Sequence, residues 1–440
     1  MENNHDIEEI KSRILQLKDE FNQKQIDREE LSNILILSLF SQKHIFLLGE
    51  PGVSKTGSLE IFLTTVRSDK KFQITIKNDT KYEEIFGDTY REDNGKLKHD
   101  PSYSIVDAHT AILDECYKGN SKVVNSLLSI MSPYRTVDML GIGPVKAPIL
   151  IVTGAANELP INKELDAQRD RFVFSYKVKK ITGEDDWIKF VSRNYDRNPE
   201  LSTKFDVDEI RYITEIAKSK VTIPEVFFKY LYAIRQQVEL FKIGVSERKF
   251  DNALDVFLVS ALLNGRDEVN YSEFFILKHI LWKEIIDIAK IQEILNTIIF
   301  GVTDVVVQYI ENIELEKKKL KSIVNGALND FLRHRKAFTS LELTEFERSK
   351  EYVGNVINNY KRLLDQINSV IDNHNMNMLV EEQINNNNFV IDIKSPIYQQ
   401  VSIEDVYAIQ NDISVMIEEL TQWLESHGEL YAYNMMVNSG

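Results

Sequence analysis

His44-Ile45-Phe46-Leu47-Leu48 runs directly into Gly49-Glu50-Pro51-Gly52-Val53-Ser54-Lys55-Thr56, and from Thr56 to about Val66 the apolar residues recur at helical spacing. An apolar strand, a Gly/Pro turn and a helix start, in that order, meet the needs of a phosphate-binding loop. Such a loop aims successive backbone N–H groups at phosphates, sets a helix N-terminus behind them, and adds a lysine for the outer phosphates and a hydroxyl for Mg²⁺. Lys55 and Thr56 stand where that chemistry requires them. The match to G-x-x-x-x-G-K-[ST] is imperfect, because Ser54 occupies the place of the second glycine, and Gly52 is the expected source of flexibility. An ordinary strand-to-helix turn is the alternative reading.

Working outward, four more short β-branched or apolar runs occur: 72–76 (FQITI), 110–115 (TAILDE), 147–155 (APILIVTGA) and 172–178 (FVFSYKV). Helical segments separate them, for instance Ser121 to Met131. Strands joined through helices predict crossovers and a mostly parallel sheet covered on both faces. The third run ends in Asp114-Glu115. At a strand end facing the phosphate loop, Asp114 suits Mg²⁺ held through water, and Glu115 suits orienting or deprotonating an attacking water. The fourth ends in Thr153-Gly154-Ala155-Ala156-Asn157-Glu158. Ligands collect beyond the carboxyl ends of parallel strands, so Asn157 is expected to meet the γ-phosphate and the water. An exposed acidic strand end and a turn asparagine are the competing readings of these two elements.

Taken together the three elements resemble an AAA+ ATPase, and more finely the MoxR family, particularly its RavA branch. That family's G-P-P-G-x-[AS]-K-[ST] loop accommodates Ser54. Its Phe-Gly after the second strand matches Phe86-Gly87, and its L-D-E-[IV] matches Leu113-Asp114-Glu115-Cys116, followed by Asn125-Ser126-Leu127-Leu128. Ala155-Ala156-Asn157-Glu158-Leu159-Pro160 resembles Ala-x-Asn-Glu-Leu-Pro. Ala167-Gln168-Arg169-Asp170-Arg171-Phe172 resembles the A-x-x-D-R-F that carries the arginine finger, and Val245-Ser246-Glu247-Arg248-Lys249 resembles V-S-x-R-[RK], whose arginine is sensor 2. The resemblance spans about residues 5 to 290. It implies that Arg171 reaches a neighbouring subunit's γ-phosphate, with Arg169 as a rival, while Arg248 touches the nucleotide from its own lid. Both would neutralise charge developing during transfer, a surface salt bridge being the alternative for each. It places Ile26, beside Arg28, near the adenine, where a buried first-helix contact is an equal explanation. It also makes the polar stretch Asp88–Pro101 a channel insertion with Tyr90, Lys96, Lys98 and His99 as pore candidates, unless it is a solvated loop.

The 440 residues suit two to four domains, and 43% apolar content allows a real core. No run of 18 uncharged apolar residues exists; LSNILILSLF (31–40) and DVFLVSALL (255–263) fit buried helices better than membrane spans. The N-terminus lacks a basic start and an apolar segment, which predicts no secretory signal and a cytoplasmic protein. One cysteine, Cys116, excludes a disulfide framework and reads as core filler, and the eight histidines lack metal spacing. With 53 basic against 68 acidic residues the net charge is −15, which argues against general nucleic-acid binding.

Four regions are expected: a nucleotide-binding α/β core over 1–180, a helical lid over 181–300 with breaks at Gly183–Asp186 and Gly244–Ser246, a coiled-coil hairpin arm over 301–372, and an acidic recognition segment over 373–440. From Leu363 onward there are twelve Asp/Glu and one base, Lys394. Val306, Ile310, Ile313, Lys317, Leu320, Val324 and Ala327 make one heptad seam that only Lys317 spoils, and Val353, Val356, Tyr360, Leu363, Ile367 and Val370 make another, the two meeting near Arg333–Thr344. A last helix from Ser402, with Asp405 three residues on, carries Val406, Ile409, Ile413, Met416, Leu420 and Trp423 on one stripe. Intramolecular packing and a surface for partners compete for these stripes, and the Asn-rich 373–388 is either part of the recognition segment or a flexible loop.

The function implied by the resemblance is a Mg²⁺-dependent, ATP-hydrolysing homo-oligomer, expected to be a hexamer. It would remodel or assemble a protein client with a partner carrying a von Willebrand factor A domain. The alternative is an AAA+ motor subunit of a nucleic-acid-processing or defence complex. A nucleotide-gated scaffold that barely turns over is disfavoured by the presence of Glu115 and Arg171.

Overall fold

The computed structural model describes residues 7–93, 95–139, 143–160, 165–192, 200–300, 315, 317–319, 322, 340–391, 393 and 403–438. The chain divides into one compact unit of residues 1–295 with 383–393 and a second of 296–382 with 394–440.

In the first unit, α1 (Ile7–Lys24) and α2 (Glu29–Phe40) precede strand β1 (Ile45–Leu48) and α3 (Lys55–Leu63). There follow β2 (Val66–Arg67), β3 (Lys71–Thr75), α4 (Tyr82–Phe86), the hairpin β4 (Asp88–Arg91) and β5 (Leu97–Asp100), then β6 (Thr110–Asp114) and α5 (Ser121–Ile130). A second hairpin, β7 (Thr136–Met139) and β8 (Gly143–Lys146), leads to β9 (Ile151–Ala156), α6 (Asp166–Arg171) and β10 (Phe174–Lys177). The central sheet has five parallel strands in the order β10-β1-β9-β6-β3. All five correspond to the apolar runs of the sequence. The inner strands β1 and β9 are legible because a strand buried on both faces cannot alternate polar with apolar, and both are buried at every position; the edge strand β3 does alternate, Phe72 lying buried between exposed Lys71 and Gln73. Residues 31–40 are also buried throughout, as part of α2. That explains a run that reads almost as a membrane segment, and no helix among the described residues is long and apolar enough to cross a membrane.

The helical part comprises α7 (Glu184–Ser192), α8 (Val207–Lys220), α9 (Glu225–Leu240), α10 (Glu247–Leu263), a 3₁₀ segment Tyr271–His279 and α11 (Asp287–Phe300), with a two-residue β11 (Phe205–Asp206) pairing β2. Asp206 and Glu209 form a capping box at the start of α8, the reciprocal arrangement that satisfies orphan N–H groups of a first turn. Val245-Ser246 sits where α10 begins.

The second unit contains most of α12 (Ser340–Asn385) and α13 (Ile403–Asn438). Val353, Val356, Tyr360, Leu363, Ile367 and Val370 pack with Val406, Ile409, Ile413 and Leu420 in one buried cluster, with Met416 against it. For these residues the stripes are intramolecular core. Val306, Ile310, Ile313, Leu320, Val324, Ala327, Ser402 and the side chains of Asp405 and Trp423 lie outside the described residues. Lys317, the misfit of the first seam, pairs with Asp412 at 2.6 Å.

The Asn-rich stretch is not a loop over most of its length. Asn373 to Asn385 continue α12, carried by Ile371, Val380 and Ile384, which stay buried. The following residues belong to the first unit. There the Asn387 amide, 4% exposed, donates to Ser272 Oγ (2.8 Å) and to Glu273 Oε1 (2.9 Å), and Asn264 donates to its carbonyl oxygen (3.1 Å). Glu273 is fully buried and also paired with Arg266, so Asn387 completes a satisfied polar network.

Candidate functional site

The loop between β1 and α3 is held in a backbone state that few residues accept. Gly52 has φ +86° and Ser54 has φ +62°, both left-handed. Ser54 therefore occupies a conformation that glycine would adopt freely, which is the physical content of the imperfect loop pattern. Gly49 is required for closeness: a Cβ there would lie 2.8 Å from the Val178 carbonyl oxygen and 3.0 Å from Val53 Cγ2. Pro51, Gly52 and Ser54 are exposed, Thr56 is half-buried, and Lys55 is drawn inward at 7% exposure.

Lys55 Nζ donates to Gly49 O (2.8 Å), Glu50 O (3.0 Å) and Asn157 Oδ1 (2.7 Å). The Asn157 amide donates in turn to Glu115 Oε1 at 2.5 Å. A hydrogen-bonded chain thus crosses the carboxyl ends of β1, β9 and β6. Burial pushes the lysine pKa down, while Asp114 and Glu115 push it back up. Glu115 has φ +50°, a left-handed state that is unfavourable for a side chain with a Cβ and that clusters at functional sites. Its backbone N–H donates to Asp114 Oδ1 at 3.1 Å, and Lys118 pairs with its other oxygen at 3.3 Å. The structure so brings together Lys55, Asp114, Glu115 and Asn157, at the strand ends where an α/β sheet binds ligands.

Ile26 is half-buried in the turn between α1 and α2. Its neighbours fix that turn beside the loop: Ser58 Oγ donates to Gln25 Oε1 (2.8 Å), and the Arg28 guanidinium donates to Val53 O (3.4 Å) and Lys179 O (3.1 Å). Glu30 accepts from Lys278 (2.5 Å) and His279 (3.3 Å). Burial alone would raise the Glu30 carboxyl, but these two partners hold it well below the usual carboxylate range.

The three arginines part company. Arg169 is 11% exposed, donates to Lys283 O and lies 3.9 Å from Asp166. Arg171 donates Nε–H to Leu128 O over 3.4 Å. It lines an open cleft of about 680 Å³ together with Arg135, Lys146, Arg211 and Arg248. Arg248 is bound to Asp170 at 2.7 Å. Arg248 thus shares this cleft with Arg171.

Of the pore candidates, Tyr90 (46% exposed) stands on the β4–β5 hairpin, and Lys98 is exposed and pairs with Glu92 at 3.1 Å. Lys96 lies just before β5. His99 is buried at 7% exposure, which removes it as a channel-facing group. Asp88–Pro101 is thus largely a hairpin and not an irregular loop. The β7–β8 hairpin escapes the sequence reading: its strands alternate, with Val137 and Met139 buried, but at four residues each they are too short for the pattern to stand out. Cys116 is fully buried and burial pushes its thiol pKa well up, in keeping with core filler.

A family model described as the MoxR domain in the MoxR-vWA-beta-propeller ternary systems matches residues 12–212, and an AAA lid domain model matches residues 227–295. An uncharacterized protein of Methanocaldococcus jannaschii is 30% identical over 322 residues, covering 72% of this chain and 80% of the relative. A second uncharacterized protein of that organism is 27% identical over 371 residues, 83% of this chain and 94% of its own. Chaperone MoxR1 of Mycobacterium tuberculosis is 26% identical over 262 residues, covering 56% of this chain and 67% of that protein. A solved structure of a candidate ATPase from Cytophaga hutchinsonii shares the fold, with TM-score 0.53 and 21% identity over 67% of this chain and 96% of that one. The parallel α/β core with its helical lid is an AAA+ fold, and the chain belongs to the MoxR family of AAA+ ATPases.

Proposed function

We propose that the chain is a Mg²⁺-dependent ATP hydrolase working as a ring of identical subunits, six by expectation, and that it couples hydrolysis to chaperone-like remodelling or assembly of a protein client. The observation that carries the reading is the Lys55–Asn157–Glu115 chain beside Asp114. The residues fit a nucleoside triphosphate: the loop opens at Gly52, where a Cβ would meet nothing within 4 Å, and a buried lysine stands behind it. In this reading the backbone of 49–56 and Lys55 hold the phosphates, Thr56 and Asp114 hold Mg²⁺, and Ile26 lies against the adenine. The metal would neutralise charge on the transferred phosphoryl group. Glu115 takes the proton of the attacking water, and Asn157 fixes that water's position. Arg171 is the finger offered to a neighbour. Arg169 is disfavoured because its side chain is engaged by Lys283 and Asp166. Arg248, on the lid helix and paired with Asp170, is read as touching the nucleotide of its own subunit from the lid.

The name of the matching family model supports a partner with a von Willebrand factor A domain, and the RavA-like branch rests on the motif match. The net charge of −15 favours a protein client over nucleic acid; hydrolysis stimulated by DNA or RNA but not by protein would select the motor alternative. A cytoplasmic location accords with this reading. The test is subunit mixing. Arg171→Ala and Lys55→Ala proteins should each be inactive, and their co-assemblies should recover hydrolysis where an intact Arg171 faces an intact Lys55 site. No recovery in demonstrably mixed rings defeats the reading.

A further inference from the structure

Lys249 is 7% exposed, and its amino group has no part in the reaction described above. Its Nζ donates to Phe172 O and to Val173 O, the latter at 2.8 Å. Two residues of the same lid turn hold the segment just before: Ser246 Oγ donates to Asp170 Oδ1, and Arg248 donates to Asp170 Oδ2. The turn at the start of α10 therefore grips residues 170, 172 and 173, and the residue bracketed by the grip is Arg171.

A buried ammonium whose hydrogen-bond acceptors are two carbonyls is an unfavourable core filler. Burial pushes its pKa down to about 7, Asp170 raising it and Arg169 lowering it. A methionine of similar length would fill the volume without that desolvation. What the lysine adds is direction: two successive carbonyls, Phe172 O at the C-cap of α6 and Val173 O just beyond it, are bound from one point.

We propose that Lys249 is a positioning residue for Arg171: by holding Phe172 O and Val173 O to the lid helix α10, it fixes where the guanidinium stands at the cleft. The inference rests on the reading in which Arg171 completes a neighbour's site. It follows that the state of one subunit's lid is passed to the next subunit's hydrolysis through this clasp.

The test uses full-length rings. Lys249→Met should bind ATP within about twofold of wild type and lose kcat about tenfold or more, since a misplacement of about 1 Å costs of order 100-fold. Lys249→Arg should restore much of the rate, the small cavity of about 40 Å³ beside it giving room for the longer head. The decisive measurement mixes Lys249→Met with Glu115→Gln subunits, whose own sites are dead but whose Arg171 and clasp are intact. Hydrolysis should recover, because Lys249→Met sites then face correctly held fingers. Arg171→Ala mixed with Glu115→Gln is the control. If the control recovers and Lys249→Met does not, the positioning role is wrong; if neither recovers in mixed rings, the trans reading itself fails. Should Lys249→Met not assemble, Lys249→Leu, shorter and equally apolar, removes the same two hydrogen bonds, and normal turnover in that variant would equally overturn the proposal.

Discussion

His44 opens the run that decides the fold, and its burial makes a quantitative claim about acid stability. The ring is 5% exposed, and its Nδ1 accepts the Val152 N–H of β9 at 3.0 Å. Burial first, then the charges of Arg135 and Lys43, push its pKa down from 6.5 to about 3. Between those two values the unfolded chain binds a proton that the folded chain does not. Stability is therefore lost as pH falls from about 6.5 toward 3, and the contribution is fully retained above. At pH 5 the loss amounts to about 2 kcal/mol relative to pH 8, taking about 1.4 kcal/mol per unit. His44→Asn keeps an acceptor for Val152 and does not titrate. Urea unfolding can be followed by Trp282, whose Nε1 donates to Ser175 O of β10 at 3.0 Å, in a Trp187→Phe, Trp423→Phe background. The difference in unfolding free energy between that parent protein and its His44→Asn variant should shift by about 2 kcal/mol between pH 8 and pH 5. A difference that stays constant with pH would refute the argument.

Two further perturbations follow from close approaches. Gly49→Ala sets a Cβ 2.8 Å from backbone at Val178; overpacking of this kind costs about 1–3 kcal/mol, and nucleotide titration should show about tenfold weaker binding, unchanged affinity counting against the loop's role. Asn387→Ala strips donors from Ser272 and the fully buried Glu273, so thermal unfolding of the first unit should show a loss of about 1–3 kcal/mol, and an unaltered transition would mean the network does not stabilise that unit.

The sheet and the phosphate loop are legible in the residues because both are local: a doubly buried strand is a short apolar run, and a helix start after Gly/Pro is a turn signal. Asp114, Glu115 and Asn157 follow, since each ends a strand of that sheet. The signals that fail are those set by tertiary context. Nothing local shows that Glu115 is left-handed, or that Lys249 is buried against two carbonyls. Asparagine favours turns, yet residues 373–385 stay helical because apolar residues recur at helical spacing on a buried face. Arg248 is found by motif, but its place beside Arg171 depends on how α10 meets α6, a contact distant in sequence.

The central claim is that Glu115 performs the chemistry at a site that Lys55 and the loop assemble. Glu115→Gln keeps the shape and the partner for Asn157 but cannot accept the water's proton. Measured side by side, nucleotide affinity and single-turnover ATP hydrolysis should separate the two residues. Lys55→Ala should lose affinity, while Glu115→Gln should bind ATP as wild type does and hydrolyse it at least about 100-fold more slowly, the lower end of what general base catalysis supplies. Wild-type turnover by Glu115→Gln would contradict the account.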